Sequence, residues 1–225
     1  MSILKLFVQW LVTTVALGAV LFGAAGRLDL PMFWLYLGAY ALLVLVYALV
    51  MSRRDPALLA ERRRSGPGAK RWDRAWLAVY TALFVVTWVL AGLDAGRVHW
   101  SDTVPLWLQV VAQIVCVAAF ALVWWASWAN TFFSQVVRIQ EERGHRVVTE
   151  GPYQYVRHPG YAANIVVWPA SALALGSWWA MVPAGAIVAA FIVRTALEDR
   201  TLHRELEGYE AYAQRVRYRL LPGVW

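Results

Sequence analysis

Four uncharged apolar runs dominate this sequence, at residues 6–26, 31–51, 75–93 and 104–129. Each has close to the ~20 residues that a helix needs to cross a bilayer. In hydrocarbon every backbone N–H and C=O must be bonded internally, so such runs are read as membrane helices, not strands. Gly160 opens a fifth, shorter run to residue 177, with Asn164 and Pro169 inside it. Pro169 frees the carbonyl of Ile165 and predicts a kink. Residues 178–193 form a sixth run, reached by a tight turn near Gly176, and its helical pattern continues into charged sequence to about residue 207. Gly208 breaks it, and a short helix with Tyr209 and Tyr212 follows. The expected fold is all-α, a polytopic membrane protein of about six spans with a cytoplasmic C-terminal region. Residues 1–129 supply helices one to four. Residues 130–225 form a second unit: a loop, the helical hairpin 160–207 and a tail.

Composition agrees. Hydrophobic residues make up 60% and charged residues 16%, with mean hydropathy +0.50, against ~45–50% and ~25% in soluble domains. The formal charge of +7 does not mark a nucleic-acid surface, because of where the cations lie. Of the 21 Lys and Arg residues, 19 fall at the N-terminus, in 52–74, in 130–157 and from 194 onwards; Arg27 and Arg97 alone fall between the other span ends. The positive-inside rule makes the crowded face, with both termini, cytoplasmic. The basic loop 52–74 reads as topogenic. Residues 6–26 are too long for the apolar core of a signal peptide and are expected to stay as a helix. The single cysteine, Cys116, reads as a small buried hydrophobe. Gln109 and Gln113, four apart on one helix face, read as interhelical hydrogen-bonding groups. The four histidines lack metal-ligand spacing, and no metal is expected.

The stretch from Gly151 to Tyr161 (GPYQYVRHPGY) is the richest in chemistry. Two prolines stiffen it and push Gly151 and His158 towards extended geometry. Pro159 fits the first helical position, so free N–H groups at that helix start could receive an anion. Arg194 and Glu198 are four apart and share a helix face, either as a surface ion pair or as a membrane-edge site. The planar fork of Arg194 suits a carboxylate.

These segments, His145-Arg146-Val147-Val148 through Tyr153, Arg157-His158-Pro159-Gly160-Tyr161, Arg194-x-x-x-Glu198-Asp199, Gly208-Tyr209-x-x-Tyr212 and Arg219-Leu220-Leu221-Pro222-Gly223, together resemble the isoprenylcysteine carboxyl methyltransferase family. That family sits among integral-membrane methyltransferases that include phospholipid N-methyltransferases. The resemblance covers the chain from Asn130 on. It departs at Asp199, where the family usually has glutamate, and at Arg138, where relatives carry a polar cofactor contact such as glutamine. It implies S-adenosylmethionine bound without a Rossmann domain, by His145, Arg146, Val147, Val148, Tyr153, His158, Pro159, Gly160, Tyr161 and Glu198. Arg194 would face the methyl acceptor, with Arg194 and Glu198 as the catalytic pair. The implied partners are a lipophilic small-molecule or lipidated acceptor and membrane lipids, with no nucleic acid. Arginine-heavy, lysine-poor usage points to a bacterial inner membrane. Alternatives are a phospholipid amine or another small lipophilic acceptor, an NADPH-dependent membrane reductase, and a non-enzymatic scaffold or transporter.

Overall fold

The computed structural model of the chain describes residues 3–62 and 68–225. Arg63 and Arg64 of the basic loop, and the Gly66-Pro67 pair beside them, lie outside the described residues. Among the described residues eight α-helices follow in order: α1 (Ile3–Ala25), α2 (Pro31–Arg54), α3 (Pro56–Glu61), α4 (Arg71–Leu93), α5 (Leu106–Ala129), α6 (Pro159–Ala174), α7 (Met181–Glu205) and α8 (Tyr209–Arg215). No strand occurs among the described residues. Five helices (α1, α2, α5, α7, and α4 with the π-helical turn Asp94–Val98) are long and apolar enough to cross a membrane.

Differences from the sequence expectation lie at the margins. The described part of the basic loop is mostly helical. α2 runs on to Arg54, α3 begins at Pro56 with Asp55 accepting the Leu58 N–H (2.8 Å), and α4 already starts at Arg71. The fifth run gives a helix of only 16 residues, about 24 Å at 1.5 Å per residue. That is short for a span on its own, and α6 is instead largely enclosed by its neighbours. Its small residues Ala163, Val167 and Ser171 lie against α5, where Cys116 is buried and Ala119 packs on Ala163 and Val167. Small side chains allow such close approach where apolar burial gives little net drive between helices. α7 ends at Glu205, and Gly208, at φ +79°, lies in the turn that follows as the cap of α8, so the break expected at Gly208 begins two residues earlier.

An aromatic core joins α2, α4, α6 and α7 through Tyr36, Trp88, Trp168 and Phe191. Two polar groups inside it are paired across helices: Tyr36 donates to Ser171 (2.8 Å) and the Trp76 indole to the Ala190 carbonyl (2.8 Å). Leu11, Val15, Leu42, Val85 and Ile114 point outwards, as surfaces facing lipid do. The two glutamines do not link helices. Gln109 donates to the Val104 carbonyl of its own segment (3.2 Å), and the buried Gln113 Oε1 has no partner. Both lie on α5, as their spacing implies, but which group each amide meets is a tertiary matter.

The two ends of the bundle differ. At one end Asp94 is fully buried and accepts from Ser101 and Ser177 (2.5 Å each), tying the α4–α5 connection to the α6–α7 turn. Arg97 there caps α1 through the Ala24 carbonyl (2.7 Å). The other end gathers the described cations apart from Arg27 and Arg97, among them Lys70, which bonds Glu205 at the end of α7 (2.7 Å). Residues 130–158, α8 and the tail fold over this basic end.

Candidate cofactor and acceptor site

The chemistry-bearing residues converge on a cleft at the basic end, with about 780 Å³ of space including its open mouth. Its walls are the 130–148 segment, the short 3₁₀ helix Gly151–Gln154, the start of α6, the last turns of α7, and α8. Of the ten residues implied as cofactor contacts, His145, Arg146, Val147, Val148, Tyr153, His158, Gly160, Tyr161 and Glu198 line it. Pro159 does not. As first residue of α6 it sets the helix direction while its own ring is buried beneath the wall.

Local chemistry explains each wall. His158 precedes Pro159 and is held in a non-helical conformation (φ −127°, ψ 62°), as the proline ring requires. Its ring stacks on Tyr161, with planes 2° apart and centroids 5.7 Å apart. Its carbonyl accepts from the Tyr161 and Ala162 amides (3.0 Å each). The helix start therefore has two of its N–H groups already occupied and offers an anion less than the sequence implied. Gly160 is needed for space: a Cβ there would sit 2.6 Å from the Phe133 ring, so glycine lets the two walls touch. Tyr161 donates a short hydrogen bond to Glu198, which orients that carboxylate into the cleft. Tyr153 receives a hydrogen bond from Asn130 (3.1 Å), and Tyr212 donates to the Tyr153 carbonyl (2.7 Å). Burial raises the Tyr153 hydroxyl above the ordinary tyrosine range, so it stays neutral. His145 stacks on Phe132, and its Nδ1 accepts the Gln140 N–H (3.3 Å). Burial pushes the His145 pKa down to about 4, with Arg138 and Arg143 adding to the effect. At neutral pH the ring is uncharged.

Beneath the cleft lies a hub that sequence reasoning missed. Asp199 is 1% exposed. It accepts from Arg157 (Nε 2.8 Å, Nη2 3.0 Å), Arg219 (Nε 2.7 Å) and Tyr209 (2.8 Å), with His158 Nε2 at 3.3 Å. Arg157 also donates to the Val216 and Arg217 carbonyls (2.8 Å each), and the amides of Arg157 and His158 bond the Tyr218 and Arg219 carbonyls (2.9 Å each). One carboxylate thus stitches the Arg157-His158 strut to α7, α8 and the tail. The available signal was the excess of arginine beside a lone acid, in segments far apart in sequence. Arg138 lines the cleft too, but it is committed to Glu61 (2.9 Å) and Glu142 (2.6 Å).

Arg194 differs most from expectation. It shares a helix face with Glu198, yet no ion pair joins the two among the described residues. It is 6% exposed and does not line the cleft. Its Nε lies 2.9 Å from Asp73 of α4, and Nη2 donates to the Gln135 carbonyl (2.6 Å). Its guanidinium packs on Trp76, 4.1 Å from the ring centre, with Tyr161 on another side at 5.2 Å. Burial explains the change of partner: a fully enclosed carboxylate at α4 attracts the guanidinium more strongly than a half-solvated one four residues along. A second hollow, of about 1140 Å³, runs between α1, α2 and α5. Trp10, Tyr40, Val44, Tyr47 and Phe120 line it, and Arg62 and Gln135 close its basic end.

This architecture defines a helical membrane protein with an aromatic, charged cleft at one edge of the bundle. Residues 110–204 match the model of the isoprenylcysteine carboxyl methyltransferase (ICMT) family. It is 31% identical over 140 residues to the cobalt-zinc-cadmium resistance protein CzcN of Cupriavidus metallidurans, covering 58% of this chain and 57% of that protein. It is 27% identical over 135 residues to protein-S-isoprenylcysteine O-methyltransferase B of Arabidopsis thaliana, covering 48% of this chain and 66% of that protein. The chain thus spans less than two thirds of the length of either relative.

Proposed function

We propose that this protein is an S-adenosylmethionine-dependent methyltransferase acting at the membrane edge on a lipophilic acceptor. Carboxyl O-methylation of an isoprenylcysteine-like substrate is the favoured reaction, and residues 130–225 are its core. The observation that carries this reading is the convergence of nine motif residues on one cleft. The lining suits that cofactor: aromatic faces at Tyr153, His158 and Tyr161 for adenine or a sulfonium, Glu198 for an amino or ribose group, and Arg146 for a carboxylate. When bound, S-adenosylmethionine would supply an electrophilic methyl group. The protein's part is to hold the acceptor in line at ~3–3.5 Å and to keep water out, which favours reactions that disperse charge. A carboxylate acceptor is already ionised and needs orientation rather than a base, and Arg194 has the planar fork for it. The apolar groove of α1, α2 and α5 suits the acceptor's hydrocarbon tail.

Glu198, whose carboxylate is aimed into the cleft by Tyr161, supports a second reading, an amine acceptor from which Glu198 removes a proton. We further propose that the basic end faces the cytoplasm, from the 19-to-2 division of cations. Calorimetric titration of purified protein with S-adenosylmethionine, then a labelled-methyl screen of prenylcysteine and phospholipid-amine acceptors, tests the reading. Saturable binding and a labelled product are expected. Binding of NADPH in place of S-adenosylmethionine would reject it.

A further inference from the structure

Asp73 sits in the first turn of α4, at the edge of the basic loop, and is fully buried. Three elements meet on its carboxylate. Oδ2 accepts the Val137 N–H (2.7 Å) and lies 3.3 Å from Arg194 Nη2, while Oδ1 lies 2.9 Å from Arg194 Nε. Val137 lines the cleft. We propose that Asp73 is a positioning residue that aims Arg194 at the methyl acceptor and ties that aim to the cleft wall. The inference rests on the reading of Arg194 as the acceptor-side group.

A buried guanidinium with no carboxylate beside it would be strongly disfavoured, so something on the protein must hold Arg194 before the acceptor arrives. Asp73 does so incompletely. The Nε–Oδ1 contact is close, yet both atoms are buried without an aligned hydrogen bond. Arg194 is thus tethered through Nη2, while its Nε faces Asp73 Oδ1 without an aligned bond. The Gln135 carbonyl fixes the same Nη2 from the groove side, and Trp76 supports the guanidinium. The cation therefore stands behind the 133–137 wall that separates the cleft from the apolar groove. Because one oxygen of Asp73 receives both Val137 and Arg194, displacement of that wall is felt at the guanidinium.

The test uses the full-length protein in detergent or vesicles. Asp73→Asn keeps the size and can still accept from Val137, but it loses the charge that holds Arg194. Its turnover should fall at least tenfold, with S-adenosylmethionine affinity within twofold of the parent. In an Arg194→Lys background the same change should lower turnover less than twofold further, since both act through one group. Full turnover in Asp73→Asn, or equal losses in both backgrounds, would overturn the proposal. If Asp73→Asn does not fold, Asp73→Glu carries the test: the carboxylate is displaced by one methylene, and turnover should fall at least threefold at unchanged cofactor affinity. Parent-like turnover in that variant also overturns it. An activity-free arm measures phenylglyoxal labelling of Arg194 by mass spectrometry, expected to be at least fivefold faster in Asp73→Asn. An unchanged rate means that Asp73 does not hold Arg194. If the parent methylates nothing, the functional reading fails, and the labelling arm alone decides the link between the two residues.

Discussion

Replacing Asp199 by Asn tests the hub most directly. The side chain keeps its shape, so the loss is of charge rather than packing. Arg157, whose side chain is 5% exposed, would be left as a buried cation with a neutral partner, and either Arg219 or Tyr209, which bond different oxygens of the carboxylate, would face an NH2 group in place of its acceptor. Breaking a buried pair by neutralising one member typically costs about 3–5 kcal/mol. Arg219 is a third exposed and adds little, because solvent screens it. For a chain of this size, each kcal/mol shifts the melting midpoint by about 2–4 °C, so a drop of about 6–20 °C is expected in detergent. The damage should also be local. α8 and the tail are held to the Arg157-His158 strut through this carboxylate, so trypsin should cut at Arg215, Arg217 or Arg219 in the variant well before it cuts the parent. A variant that melts within 2 °C of the parent and keeps its tail protected would refute the assignment of the hub as the clasp of this region.

His158→Ala should weaken S-adenosylmethionine binding at least tenfold, about 1.4 kcal/mol, because the ring stacked on Tyr161 forms part of the cleft wall; calorimetry on folded protein with unchanged affinity would reject that role. Gly160→Ala should lower cofactor affinity more than it lowers the melting temperature, since the new methyl displaces the Phe133 ring in the wall, and titration beside a thermal melt compares the two effects. His145 has a folded pKa of about 4, below the ordinary histidine value of ~6.5. The unfolded chain therefore takes up the proton first, so this contribution to stability is full above pH ~6.5 and is lost as pH falls towards 4. His145→Gln should flatten the melting-temperature profile in that window relative to the parent. For orientation, Asp102→Cys in a Cys116→Ala background should react with a membrane-impermeant thiol reagent in intact cells, because Asp102 is exposed at the end carrying Arg97; protection from the reagent would reverse the proposed topology.

The spans were legible because a bilayer leaves the chain so few options: apolar length, Pro31 and Pro159 at helix starts and Gly208 at a helix break all read correctly. The cleft was legible as a set of residues because most lie in one short segment, His145 to Tyr161. What could not be read was which charges meet. Arg157 and Asp199 are 42 positions apart, and Arg194 and Asp73 are 121 apart. Helical spacing supplies only near neighbours, such as Glu198 for Arg194. The choice of Asp73 depends on how deeply α4 is buried against α7, and Asp73 itself was hidden in a segment whose many arginines gave it the look of a topogenic loop. The occupied amides at the start of α6 were equally invisible, since whether a helix start is free depends on backbone angles at His158.

The Asp199 clasp also sets an order of events during synthesis. Arg157 leaves the ribosome 42 residues before its carboxylate partner and 62 before Arg219. Until α7 is threaded, the strut is a cationic, proline-stiffened segment with nowhere to bury its charge, and it must wait in water beside the membrane. The helices can insert one after another, but the cleft closes only when residues 199–219 have been made, through contacts of long sequence separation that form late. Biogenesis of this protein therefore has a built-in final step, and a nascent chain stalled before residue 199 would be an inserted bundle with no site.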